Sequence, residues 1–150
     1  MDTNDLYKLA EDKGISVYSY SIPEIYSLSV KDTDGDYHVA ISNNAIASPT
    51  TEKTCLAHEI SHCETDALYA PDAPLIERNR MEYRADKRTV EYLVPWDLYV
   101  MAFKEGYFTA WEQADFWGIL EQYVPVVHKV YERTRWEDVE KLKSRYLNDI

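Results

Sequence analysis

The stretch TCLAHEISHCETDAL, residues 54–68, sets two histidines four positions apart, with a glutamate directly after the first. On a helix, residues four apart are offset by only ~40°. His58 and His62 then aim two imidazoles at one point. Glu59 lies ~100° round from His58, at the edge of the same face. Two imidazoles, a third ligand and one open position make a catalytic zinc site. A nearby carboxylate there can take a proton from water during attack on a carbonyl. The competing reading is a surface helix that carries two histidines by chance. A third ligand at the right height decides between them.

Residues 75–93, LIERNRMEYRADKRTVEYL, can supply it. The chain between is broken by Pro71 and Pro74 in YAPDAP, so a first helix is expected over Pro49–Leu68 and a second over Leu75–Leu93. Ser48 followed by Pro49 suits an N-cap and first helical position. If YAPDAP reverses the chain, His62 and Glu82 stand ~9 and ~10.5 Å from the turn, at 1.5 Å per residue. Glu82 is then level with His62, and Asp86 with His58. One of these carboxylates can bind a metal. The other can accept a hydrogen bond from the far nitrogen of a ligating histidine. Arg80, Arg84 and Arg88 form a stripe on roughly the opposite side. That leaves the two acids facing inward with Ala85, Thr89 and Leu93, and buried acids need a counter-charge.

Cys55 and Cys63 are rival ligands. Cys55 lies ~60° from His58 but one turn earlier, and reads better as a small buried hydrophobe. Cys63 points away. On one helix their Cα atoms stand ~12 Å apart, beyond disulfide reach, so both are expected to be free thiols. His38 and His128 lack metal-compatible spacing, although His38 can border a substrate groove.

Ahead of the motif, TNDLYKLAEDKG reads as a short helix capped by Thr3 or Asn4 and ended by Gly14. ISVYSYSI, YSLSVKD and YHVAIS alternate with period two and are expected to be strands. DTDGD, residues 32–36, joins the last two. It shares the opening of a calcium loop, but its glycine is fourth instead of sixth and position twelve is Asn43; a hairpin turn is the better reading. The expected fold is α+β: a small, three-stranded, mostly antiparallel sheet on a zincin-type helix pair, followed by a helical region over 96–150.

The chain has 150 residues, 45% of them apolar, and a net charge of -11. Residues 1–150 are expected to form one domain, with sheet and site helices in 1–95. No run approaches the ~20 apolar residues of a membrane span, and the start carries no export signal. The expectation is therefore a cytoplasmic protein that binds neither membrane nor nucleic acid. TAWEQADFWGILEQYVPVVHKVYERTR, residues 109–135, has a helix-turn-helix outline with His128, Lys129, Arg133 and Arg135 on its second helix. Its many acids favour packing helices over a DNA-binding unit.

HEISH followed by EYRADKRTVEYLVP resembles the ImmA/IrrE-type metallopeptidases. Their pattern is a zincin HExxH helix, then E-x-x-A-[DN] and an apolar stretch ending in proline. Glu82, Ala85, Asp86, Leu93, Val94 and Pro95 fall on the second block, and the resemblance covers about Ile15–Pro95. Ser61 replaces a usual glycine, and Cys63 a usual aliphatic or aromatic residue. The resemblance implies zinc held by His58, His62 and Glu82, Glu59 as the catalytic carboxylate, and Asp86 supporting His58. It also implies a metalloendopeptidase of phages or mobile elements that cleaves a helix-turn-helix repressor. An extended substrate segment is expected to add to YHVAIS if that strand is a sheet edge. A catalytically silent zinc-binding module is the alternative. Which of the 13 tyrosines serves the site is not legible from spacing.

Overall fold

A computed structural model describes residues 1–147. The elements are α1 (Thr3–Asp12), β1 (Ser16–Tyr20), β2 (Ser27–Lys31), β3 (Tyr37–Ser42), α2 (Asn43–Ile46), α3 (Pro49–Glu64), α4 (Leu75–Leu93), α5 (Trp96–Lys104), α6 (Ala110–Trp117), α7 (Val124–Thr134) and α8 (Trp136–Tyr146). They form two compact units, Met1–Thr89 and the chain from Val90 onward, with the boundary inside α4. The fold is α+β, with a three-stranded sheet, the long α3/α4 pair and a C-terminal helical region.

In the first unit, α1 begins at a reciprocal cap. The Asp5 amide donates to Asp2 Oδ1 at 2.8 Å, and the Asp2 amide to Asp5 Oδ2 at 3.1 Å. The cap is thus Asp2, ahead of the expected Thr3 or Asn4, because the Asp2–Asp5 pair satisfies two orphan amides at once. Leu6 and Ala10 are buried, and α1 packs against α3.

The sheet has the order β1-β3-β2. β2 and β3 pair antiparallel through the DTDGD hairpin. Asp32 Oδ1 accepts from the Asp34 and Asp36 amides, each at 2.9 Å, and Gly35 takes the positive φ of 89° that the turn requires. β1 pairs with the other side of β3 and runs parallel to it. The sheet is therefore mixed, with β3 paired antiparallel to β2 on one side and parallel to β1 on the other. This places β3 in the centre, so YHVAIS offers no free edge; β2 and β1 are the edges. Val39 and Ile41 of β3 are fully buried, and α3 lies against β2 and β3.

α3 starts as expected at Ser48 and Pro49. It ends at Glu64, four residues before the expected Leu68. The closure is a Schellman motif: the Ala67 amide donates to the His62 carbonyl at 2.9 Å and the Asp66 amide to the Cys63 carbonyl at 3.2 Å. Asp66 holds the left-handed position, φ 51°, where glycine is the usual signal; without a glycine the stop is hard to read. Leu56, Ala57 and Ile60 are fully buried, and burying a Leu or Ile side chain stabilises by about 1.5–3 kcal/mol. On α4, Arg84 Nη2 donates to the Thr65 carbonyl and Arg88 Nη2 reaches Glu64 Oε1 at 2.7 Å. Two members of the arginine stripe thus grip the end of α3, where cations complement the helix dipole.

The second unit has an aromatic core. Tyr99 is fully buried and its ring meets those of Trp96, Phe103, Trp117, His128 and Tyr131 at 4.7–5.8 Å between centroids. Gly118 ends α6 with φ 68°, as the turn in the helix-turn-helix outline requires. His128 points into this core. Its Nδ1 accepts from Tyr99 OH at 2.8 Å and its Nε2 donates to Gln113 Oε1 at 2.7 Å. Among the described residues no helix is long and apolar enough to cross a membrane.

Candidate metal centre

The centre is built from one turn of α3 and one turn of α4. His58 Nε2 and His62 Nε2 are 3.0 Å apart, with ring planes perpendicular. Glu82 Oε2 lies 3.2 Å from the first and 3.3 Å from the second. Three donor atoms thus form a nearly equilateral triangle. The corners of a tetrahedron with bonds of about 2.0 Å to zinc are about 3.3 Å apart, so the triangle has the dimensions of one tetrahedral face.

The outer contacts fix where the protons are. His62 Nδ1 lies 2.7 Å from the Ala67 carbonyl oxygen. A carbonyl only accepts, so this nitrogen carries the hydrogen. His58 Nδ1 lies 3.3 Å from Asp86 Oδ1, again an acceptor. In the neutral rings both Nε2 atoms then present lone pairs inward, toward each other and toward a carboxylate oxygen. Such a convergence of acceptors calls for a positive charge at its centre. The titration behaviour agrees. Burial opposes a charge on His58, but the Asp86 and Glu82 carboxylates outweigh it and push its pKa up to about 10. Burial and Glu82 compete in the same way at His62, with a net rise. Burial likewise opposes charge on Glu82, yet His58 and His62, which donate from Nε2 when charged, and the Tyr69 hydroxyl hold its pKa well below the carboxylate range. The site favours a cation, and its donors suit zinc.

Glu59 is buried at 7% exposure, and its carboxylate joins His58 and His62 in a group whose donor atoms all lie within 4.8 Å of one another. It faces a cavity of about 250 Å³ lined by Ser27, Leu28 and Ser29 of β2, Glu59, His62, Glu82 and Ala67–Tyr69. A triangle of donors with the dimensions of a tetrahedral face, a carboxylate beside it and an adjoining cleft along a sheet edge together define a zincin-type active site. The arrangement is that of a metal-dependent hydrolase.

Spacing along the chain brought His58, Glu59, His62, Glu82 and Asp86 to one place, and the structure sets all five there. Cys55 and Cys63 are free, and no candidate metal cluster among the described residues contains either. Burial pushes the Cys63 thiol up to about 12, which keeps it unreactive. His38 does not line the cleft; its Nε2 lies 2.7 Å from Asp32 Oδ2 and its Nδ1 3.2 Å from Tyr18 OH. The exposed Asp32, Asp34 and Asp36 also cluster, but as the turn described above. Two participants had no sequence signal. Tyr69 sits in the irregular stretch between the helices and donates from its hydroxyl to Glu82 Oε1 at 2.6 Å. The Ala67 carbonyl is backbone, invisible to any residue pattern.

No family model, curated protein or solved structure matches this chain.

Proposed function

We propose that this chain is a zinc-dependent endopeptidase of the ImmA/IrrE type. One observation carries the reading: three lone-pair atoms converge at 3.0–3.3 Å with their protons directed outward, beside a buried carboxylate that opens on a cleft. His58, His62 and Glu82 would hold the ion, and Asp86 would keep the proton of His58 on Nδ1. A zinc ion bound there supplies a Lewis acid that brings the pKa of water down to about 7. Glu59 would take the proton from the attacking water and pass it to the departing amine nitrogen, at its carboxylate throughout.

The substrate is read as a protein segment in extended form. Ser27, Leu28 and Ser29 belong to an edge strand beside the site, and an edge strand pairs readily with an added strand. The resemblance in HEISH and EYRADKRTVEYLVP supports a helix-turn-helix repressor of a phage or mobile element as that substrate. It equally supports a cytoplasmic setting.

The test is cleavage of the repressor encoded beside this chain, by protein purified without added metal and then supplied with zinc. Glu59→Gln should keep stoichiometric zinc and lose cleavage by several orders of magnitude. A variant that binds zinc and still cleaves at the full rate sinks the role of Glu59. Zinc binding without cleavage by the unaltered chain would leave a silent zinc-binding module in its place.

A further inference from the structure

The Glu82 carboxylate has two oxygens, and they are used differently. Oε2 faces the two imidazoles. Oε1 accepts from Tyr69 OH at 2.6 Å, a short contact of the charge-assisted kind. Tyr69 is 37% exposed and borders the same cavity as Glu59 and His62. Its ring also stands edge-on to that of His62, with centroids 6.5 Å apart. The hydroxyl thus ties the irregular stretch before α4 to the carboxylate on α4.

We infer that Tyr69 is a positioning residue that keeps Glu82 a one-oxygen donor. This rests on the metallohydrolase reading of the site. With Oε1 drawn toward the phenol and Oε2 toward the imidazoles, the carboxylate would offer an ion held there one oxygen and would not fill a second position. The position left open is the one a hydrolase needs for water or a substrate carbonyl. The alternative role for a tyrosine in the cleft is donation to the oxyanion of the reacting carbonyl. A phenol has one proton, and here that proton is committed to Glu82. Both roles cannot be served by the same hydrogen at once, and the observed contact is the first.

Tyr69→Phe tests this. The ring and its half-exposed setting are retained, so the fold should be unaffected. Zinc affinity is read by competition with a chromophoric chelator, and the cobalt-substituted protein by its visible absorption. Loss of a hydrogen bond that orients a ligand weakens metal binding about 10–100-fold. The expected result is a loss of affinity of about tenfold or more, with weaker cobalt bands as Glu82 adds its second oxygen. Unchanged affinity and spectrum, with lowered kcat, overturn the inference in favour of an oxyanion donor. Unchanged affinity, spectrum and kcat overturn it outright. Failure of the unaltered chain to bind zinc at all is a separate result: it removes the metallohydrolase reading, and this inference with it.

Discussion

His62 is aimed by the carbonyl of Ala67, 2.7 Å from its Nδ1. That carbonyl is where it is because Asp66 turns the chain into the left-handed region at φ 51°. The Asp66 carboxylate in turn accepts from Tyr37 OH and lies 3.4 Å from Lys31 Nζ. The end of α3 is thereby tied to β2 and β3. An alanine at Asp66 meets a left-handed penalty of about 1–2 kcal/mol, whereas glycine adopts that conformation freely. The exposed Lys31 pairing adds little. Asp66→Ala is therefore expected to destabilise more than Asp66→Gly in urea unfolding, by about 1 kcal/mol. Equal losses would mean that the side-chain ties, not the backbone conformation, hold the closure.

Asp86 does for His58 what the Ala67 carbonyl does for His62, but through a side chain. Asp86→Asn keeps the shape and removes the charge. The amide can turn its NH2 toward Nδ1, which then becomes an acceptor and moves the ring proton to Nε2, into the centre. Zinc affinity should fall about 10–100-fold, and the metal-free protein should also lose stability, because Asp86 helps hold the proton on His58. Chelator competition measures the first and thermal unfolding the second. Wild-type affinity in this variant would show that Asp86 does not set the tautomer.

The helix pair was legible because its signals are periodic. Four-residue spacings on α3 and α4, with prolines between, place four side chains on facing helices without any knowledge of tertiary structure. The arginine stripe was legible as a stripe only. That Arg84 and Arg88 reach the end of α3 depends on a helix stop which the sequence hides, since Asp66 stands where glycine would announce it. The place of β3 was also hidden. Three alternating runs say nothing about order, and the hairpin between β2 and β3 leaves β1 free to join either edge. It joins β3 and buries the strand expected to receive substrate, so the edge beside the site is β2. Tyr69 lies in a stretch with no period at all.

A cation that binds the folded site and not the unfolded chain stabilises by mass action. At a free concentration one hundred times Kd the gain is about 2.7 kcal/mol, which corresponds to a rise in Tm of about 10 °C or more for a unit of this size. Stripping the metal with a chelator should lower the unfolding temperature by that amount, and zinc should restore it. A His58→Ala, His62→Ala double variant should show neither response. If it responds as the unaltered chain does, the stabilising ion sits elsewhere.

His128 gives the second unit a pH dependence of its own. Burial lowers its pKa below 6.5, with Glu132 opposing and Lys143 reinforcing the shift. Both ring nitrogens are occupied in the neutral form: Nδ1 accepts from Tyr99 and Nε2 donates to Gln113. Protonation would put a hydrogen on Nδ1, so the Tyr99 hydroxyl would have to turn from donor to acceptor, beside a ring whose charge burial already disfavours. Because the folded pKa lies below the unfolded one, the unfolded chain binds the proton first as pH falls. Stability is therefore intact above about pH 6.5 and declines below it, by at most about 1.4 kcal/mol per pH unit, until the folded pKa is reached. His128→Gln lacks this proton and should lose less stability than the unaltered chain between about pH 6.5 and 5.5. The ring resonances of His128 should titrate below the ordinary histidine midpoint in NMR spectra. A midpoint at the ordinary value would remove this pH dependence and one above it would reverse the sign; either would show that the Tyr99–His128–Gln113 chain accommodates the charged ring.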